Sequence, residues 1–356
     1  MDGADAVLMH VDGQGKPHVL HHAHLPMPSD LRQSCLELNV PGNNELDRAH
    51  RAANGLALWY AELVDTLLTQ SNRSASSICA IGVHGQTVRH QPNGAGDDTN
   101  SRYTVQLNNS ALLAERTGID VISHFRERDI AADGQGAPLV PAFHRLCFSQ
   151  SGQDTAVVNI GGIANVTWLG RDGSCLGWDS GPGNMLLDAW YARSVGGAWD
   201  DGGAWSLQGQ CVSELLERWL GDPYFQQAGA KSSGREHFGE HWLHQTPHLS
   251  DYAPVDVQAT LVELTAQSVV RSLPGLPQQI LVCGGGALNQ ALMVRLQVLL
   301  PGTEVKPTSD VGMPVMQVEA SAFAWLAWAW VHRTPGNWPD ATGATGPRVL
   351  GALFPK

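Results

Sequence analysis

Short apolar runs alternate with helix-spaced apolar positions along most of the chain. Ala6–Gly13 (AVLMHVDG) predicts a strand ending in a turn. From Asn44 to Gln70 leucines recur at helical spacing (Leu56, Leu58, Leu63, Leu67, Leu68) behind a Pro-Gly-Asn turn, which predicts a long helix. Ile78–Thr87 (ICAIGVHGQT) predicts a strand opening into a loop, Leu112–Thr117 a short helix and Ile119–Phe125 a strand. Ala156–Leu169 (AVVNIGGIANVTWL) predicts two strands about a Gly-Gly turn. Residues 177–195 (GWDSGPGNMLLDAWYARSV) read as strand end, loop, then helix. Val257–Leu273 is helical, and Ile280–Leu296 (ILVCGGGALNQALMVRL) is strand, glycine loop, helix. The alternation predicts α/β architecture. Ala320–Val331 (ASAFAWLAWAWV) is apolar over about a dozen residues, against roughly 20 for a membrane span, so it predicts a buried core helix. Asp2-Gly3 is a hairpin-turn signal with only Met1 before it, as though a first strand were absent.

Composition narrows the class. At roughly 100–200 residues per domain, 356 residues imply two domains. With 43% hydrophobic and 16% charged residues, the chain is neither disordered nor a coiled coil. Lys and Arg number 22 against 34 Asp and Glu, a net charge of −12 that argues against nucleic acid as a partner. The six cysteines form no CxxC pair and no zinc spacing, so they are expected as reduced core residues in a cytoplasmic protein. The first residues lack the basic and apolar regions of a signal peptide.

Three glycine turns share one layout, an apolar strand followed by glycines: Gly161-Gly162, Gly181-Pro182-Gly183-Asn184 and Gly284-Gly285-Gly286. Glycine lets backbone N–H groups approach a phosphate, and a helix N-terminus adds a favourable dipole. Neither a P-loop nor a dinucleotide fingerprint is present. Asp179 stands immediately before the second turn, where a carboxylate acts as a general base, holds Mg²⁺ or caps the following helix. Arg126 and Arg128 would share a face on a strand and grip an anion, with Asp129 orienting one of them; an exposed charged edge is the plainer alternative. His84 and Gln86 share a strand end with glycines on either side, which suits sugar hydroxyls. Glu319 opens the apolar helix as a capping residue or a ligand contact. His18, His21, His22 and His24 look metal-like in composition but lack carboxylate partners, so a solvated strand is expected.

As a set, the segments GVHGQTVRH, FRERDIAADGQGAPLVPAFH, VVNIGGIANVTWL, GWDSGPGNMLLDAW, KSSGREHF, DVQATLVELTAQSV, LVCGGGALNQALMVRL and GNWPDATGATGPRVLGALFP closely resemble the 1,6-anhydro-N-acetylmuramic acid kinase family, in order over nearly the whole chain. The resemblance implies the two-lobed α/β fold of the actin, Hsp70 and sugar-kinase superfamily, with ATP in a central cleft. Residues 1–121 with 335–356 would form one lobe and 122–334 the other. It implies ATP-dependent opening of the 1,6-anhydro ring with phosphorylation at O6, giving N-acetylmuramic acid 6-phosphate and ADP in cell-wall recycling. Asp179 matches the catalytic base, and His84, Gln86, Arg126, Arg128 and Glu319 the sugar side. Asp2, Gly3, Gly161, Gly162, Asn165, Gly181, Gly183, Asn184, Gly284, Gly285, Gly286 and Asn289 match the nucleotide side, with Mg²⁺ on the phosphates. A homodimer is implied as well. The family opens with a strand and a Ser-Gly-Thr-Ser-x-Asp-Gly phosphate turn, of which Met1-Asp2-Gly3 is what remains. A late start codon or a truncation follows. The alternatives are a sugar-binding remnant impaired by the lost turn, or a hydrolase that opens the anhydro bond without ATP.

Overall fold

The computed structural model describes residues 3–13, 15–94, 98–227 and 233–356. The chain divides into two units, Met1–Cys147 with Glu319–Lys356, and Phe148–Val318.

The first unit contains β1 (Gly3–Val11), β2 (Pro17–Pro26), α1 (Ser29–Glu37), α2 (Glu45–Ser71), β3 (Ile81–Gly82), β4 (Gln86–Gln91), β5 (Tyr103–Leu107), α3 (Ser110–Thr117), β6 (Val121–Ser123), α4 (Phe125–Ile130) and α5 (Val140–Phe148). The second holds β7 (Thr155–Ile160), β8 (Ile163–Leu169), β9 (Cys175–Pro182), α6 (Asn184–Val195), α7 (Ser213–Leu220), α8 (Pro223–Gln226), α9 (Arg235–Phe238), α10 (Glu240–His244), α11 (Pro254–Ser272), β10 (Gln279–Cys283), α12 (Gln290–Leu299) and β11 (Glu304–Pro307). The chain then returns to the first unit through α13 (Val318–Val331), α14 (Pro339–Thr342) and β12 (Ala352–Phe354).

In the second unit one sheet runs in the order β11-β10-β7-β8-β9. β10 pairs in parallel with β11 and β7, whereas β7, β8 and β9 form an antiparallel meander. β10 is buried at every position, the signature of a strand covered on both faces. Val158, Ile160, Ile280 and Val282 pack with Leu261 and Leu264 of α11 and Leu292 and Leu296 of α12. Fully burying each such side chain contributes about 1.5–3 kcal/mol before entropy is charged against it.

The first unit has a β1-β2 hairpin, a β4-β5 hairpin and a three-stranded sheet ordered β12-β6-β3. Its core is built on α2, where Leu56, Leu63 and Leu67 of the leucine series are buried together with Ala57 and Trp59, while Leu58 is exposed. Asp2 lies outside the described residues, and Gly3 opens β1 opposite Pro26.

The boundaries differ from the expected 121/122 and 334/335. A cut after residue 121 would fall inside β6, which joins β3 to β12. Beyond it, Phe125 packs on Phe323 and Phe143 on Trp325, and Asn337 donates to Asp129. Residues 122–147 and 319–334 therefore belong to the first unit.

Two other expectations are corrected. The N-terminal histidines have carboxylate partners: His22 (2.7 Å) and His24 (3.2 Å) both meet Asp5 Oδ1, and His18 meets Asp12. They stand on a largely exposed strand, and no cluster of three ligating side chains suited to a metal exists among the described residues. All six cysteines are unpaired, but Cys79 and Cys211 are exposed rather than in the core.

Burial holds three imidazoles of the first unit in the neutral form. It drives His84 to about 3, His90 to about 4 and His144 to about 3, with the Arg126 charge adding to the effect on His84 and His90. These folded-state values lie below the ordinary one, so below pH ~6.5 the unfolded chain binds more protons. The stability present above that pH is lost as pH falls toward the folded values. For His144, which is 1% exposed, the loss at pH 5 is about 2 kcal/mol. Hydrogen–deuterium exchange, corrected for intrinsic rates, should show β4 and α5 losing protection between pH 7.5 and 5. Constant protection over that range would contradict the account.

Candidate active site

Asp179 sits on β9 rather than beyond its end, because the strand continues to Pro182. The register places it opposite Asn165 of β8, which lies opposite Asn159 of β7. Residues paired across antiparallel strands share a face. Asn159, Asn165 and Asp179 therefore form a polar row across three strands. All three are half-buried, while Val158, Val166 and Trp178 beside them are buried. A bulge ends the row. Ala164 faces Gly181 and Asn165 faces Asp179, which leaves Ser180 as the extra residue.

The Asp179 carboxylate does not cap the following helix. The N-cap of α6 is Gly183, with no side-chain cap. Asp179 Oδ2 instead accepts the Ser233 N–H at 2.9 Å, and its carbonyl accepts the Tyr224 hydroxyl at 2.8 Å. Burial and the nearby Asp179 charge push the Tyr224 phenol upward, so it stays a donor. Asp222 secures this segment by accepting from Trp242 Nε1, the Tyr224 N–H and His237. Burial alone would raise the Asp222 carboxyl, but these hydrogen bonds outweigh it and hold it low. Tyr224 and Ser233 escaped the sequence reading. Ser233 lies in the KSSGREHF segment, which carries the family resemblance, and Tyr224 in the Asp-Pro-Tyr turn at 222–224, which carries no motif's spacing.

The glycine turns are used differently from one another. Gly161 and Gly162 join β7 to β8 as predicted, but their carbonyls take up the first amides of α6: Gly183 and Met185 N–H donate to Gly162, and Asn184 N–H to Gly161. The N-terminus of α6 is thus satisfied internally and is not an open anion site, contrary to the expectation for the Gly181–Asn184 turn. Contact is so close that a Cβ on Gly183 would stand 2.3 Å from the Gly161 carbonyl oxygen. The Asn184 side chain donates to the Ile160 carbonyl at 3.1 Å. Gly284 follows β10 at φ +76°, where a Cβ would lie 2.5 Å from Asn159 Oδ1. Gly285 and Gly286 begin a short turn of 3-10 helix, and a Cβ at Gly285 would lie 3.2 Å from Asn184 Nδ2. The third turn therefore lies against the first turn and one end of the polar row. Asn289 caps α12 by accepting the Leu292 N–H.

In the first unit the residues around 124–130 form helix α4, not a strand. Positions two apart on a helix lie about 200° round its axis, so Arg126 and Arg128 do not share a face. Arg128 is exposed, whereas Arg126 donates from Nε to His84 Nε2 (2.9 Å) and from Nη1 to the Gly136 carbonyl (2.7 Å). His84 Nδ1 meets the Gly85 carbonyl at 2.8 Å. A neutral imidazole protonated at Nδ1 and accepting at Nε2 satisfies both bonds, in agreement with its lowered pKa. Gly85 (φ +78°) separates His84 from β4, so His84 and Gln86 do not share a strand face. Gln86 instead donates to the Thr87 carbonyl. Glu319 lies in the first turn of α13. Crowding by protein pushes its carboxyl upward, the Arg126 charge opposes this and Asp5 adds to it. The residue as a whole keeps contact with solvent. Asp129 pairs with neither arginine.

Both units combine helices with strands, and one is built on a five-stranded sheet that carries a half-buried aspartate among glycine turns. The chain belongs to the anhydro-N-acetylmuramic acid kinase family, whose model matches residues 1–356. It is 49% identical over 366 residues to the anhydro-N-acetylmuramic acid kinase of Cupriavidus pinatubonensis, covering all of this chain and 96% of the relative. It is 49% identical over 362 residues to that of Bordetella pertussis, covering all of this chain and 93% of the relative. A solved ROK-family glucokinase from Streptomyces griseus, in complex with glucose and AMPPNP, overlaps 91% of this chain and 97% of its own at 12% identity and a TM-score of 0.37. Among the described residues no helix is long and apolar enough to cross a membrane.

Gly284→Ala should destabilise the protein by on the order of 1–3 kcal/mol, since alanine at positive φ is strained and its Cβ would strike Asn159. Gly275→Ala, where a Cβ would meet nothing within 4 Å, is the matched control. Equal denaturant midpoints for the two variants would refute the packing account of this turn.

Proposed function

We propose that the chain catalyses ATP-dependent opening of the 1,6-anhydro ring of 1,6-anhydro-N-acetylmuramic acid with phosphorylation at O6. Family membership over the full chain carries this reading. The placement of Asp179 in a polar row beside the glycine turns supports its mechanism. Asp179 takes a proton from water as the water oxygen attacks C1. The C1–O6 bond breaks, O6 accepts the γ-phosphoryl group, and ADP leaves. The products are N-acetylmuramic acid 6-phosphate and ADP. Bonds from the Ser233 N–H to its carboxylate and from the Tyr224 hydroxyl to its carbonyl orient the aspartate for that role.

The Gly161-Gly162 and Gly284–Gly286 turns, with Asn165, form the nucleotide side in this reading. Asn184 and Asn289 support it as braces, through their bonds to Ile160 and Leu292. His84, Gln86, Arg126 and Glu319 form the sugar side. Two bonds fix the plane of the Arg126 guanidinium, which suits the anionic sugar. Arg128, on the other side of α4, takes an outer place.

Mg²⁺ is the metal such chemistry uses. One carboxylate and two amide side chains in the row are hard oxygen donors, and no denser cluster exists among the described residues. That donor set fits an ion carried mainly by phosphate and water oxygens. When bound, it would neutralise charge developing on the transferred group. The same reading takes the kinase as cytoplasmic and homodimeric, both resting on the family relationship.

Mass spectrometry of a reaction with anhydro-sugar and ATP should show the 6-phosphate, with none formed when ATP is omitted. Ring opening without ATP would instead indicate a hydrolase. Asp179→Asn should lower kcat about 10²–10⁴-fold while leaving the melting temperature within a few degrees of the parent. Retained activity would remove Asp179 from the role of base.

A further inference from the structure

Asp129 is wholly buried, and no arginine or lysine is bonded to its side chain among the described hydrogen bonds and ion pairs. Every group on it donates. Oδ1 accepts Asn337 Nδ2 at 2.7 Å and the Thr342 hydroxyl at 2.8 Å, both from the C-terminal segment. Oδ2 accepts the Gly136 N–H at 2.8 Å. The other end of Gly136, its carbonyl, receives Arg126 Nη1 at 2.7 Å. One peptide residue thus links the Asp129 carboxylate to the guanidinium, and Arg126 passes the link on to His84.

The geometry around this link leaves little slack. Gly136 adopts φ +66°, and a Cβ there would lie 2.9 Å from the Ile130 side chain. A Cβ on Gly134 would stand 2.2 Å from Asp129 Oδ2. The intervening turn is held from the other side by Gln135 N–H on the Thr342 carbonyl and Thr345 N–H on the Ala132 carbonyl. Asn337 and Thr342 orient the carboxyl, the carboxyl sets Gly136, and Gly136 sets the direction of Arg126.

We propose that Asp129 is a positioning residue for sugar binding, acting on Arg126 through the Gly136 peptide. This rests on the placement of Arg126 on the sugar side. The carboxylate makes Gly136 present its carbonyl at a fixed point, so that the guanidinium meets its ligand without rearranging. A displacement of about 1 Å at such a group costs up to about 10²-fold in rate or binding.

Asp129→Asn tests the link. The amide keeps the size, but its NH₂ must face a donor. Turned toward Gly136 it opposes the N–H there; turned toward Asn337 and Thr342 it opposes those. Steady-state kinetics of Asp129→Asn, Arg126→Ala and the double variant form a cycle. Asp129→Asn is expected to raise the KM for the anhydro-sugar at least 10-fold and to change the KM for ATP less than 2-fold. In the Arg126→Ala background it should raise the sugar KM no further. If Asp129→Asn does not fold, Thr342→Val loosens the same carboxylate and should show a smaller rise, about 3-fold, again absent without Arg126. An unchanged sugar KM, or a rise that persists in the Arg126→Ala background, overturns the proposal. An Arg126→Ala variant with a normal sugar KM overturns the sugar-side placement itself, which is a separate outcome.

Discussion

The register of β8 between β7 and β9 is the constraint on which the rest of the candidate site depends. Asn159, Asn165 and Asp179 come from three strands and meet because each faces the next across the ladder. A slip of one residue would turn Asn165 to the opposite face and break the row. Several bonds hold the register at the end where it matters. The two-residue turn at Gly161-Gly162 permits one pairing of β7 with β8, the bulge at Ser180 ends the pairing with β9, and Thr265 of α11 donates to the Pro182 carbonyl. The strand end is thereby clamped between a turn and a helix, and the carboxylate one residue before the bulge has a fixed place.

That clamp uses groups otherwise available to a ligand. A helix N-terminus after a glycine turn is a common anion site because its first amides lack partners. At α6 the carbonyls of Gly161 and Gly162 satisfy three of them. Backbone N–H groups bonded within the protein contribute to rigidity, not to phosphate binding. What the arrangement secures is a close approach of the first and second turns, with the third packed against the first.

A second theme is the carboxylate saturated by hydrogen-bond donors. The wholly buried Asp129 takes three bonds from neutral groups, and the half-buried Asp222 is held by Trp242, Tyr224 and His237. Burying a carboxyl costs several kcal/mol unless its lone pairs are occupied. Asp129 thereby gathers residues 136, 337 and 342, the last two more than 200 positions away, and Asp222 gathers residues 224, 237 and 242 of one local segment. The cost of burial enforces the meeting of the segments. The same logic makes His84 a neutral acceptor for Arg126 rather than a competing cation.

Local pattern determined much of this protein. The long leucine-spaced helix, the strand pair about Gly161-Gly162, the strand–glycine–helix unit at Gly284 and the buried helix before Val331 all follow from period and turn chemistry, which act over a few residues. Asp179 and the glycine turns stood out for the same reason, and the motifs taken in order identified the family. Other features required contacts between residues far apart in the chain. Arg126 and Arg128 sit on a helix because α4 buries Phe125, Asp129 and Ile130, a periodicity too short to read in six residues. The unit boundary falls after Cys147 because β6 lies between β3 and β12, a strand from the far end of the chain. The partners Ser233, Tyr224, Asn337 and Thr342 are chosen by proximity, and hydrogen bonding is decided by distance in space, which composition and spacing do not encode.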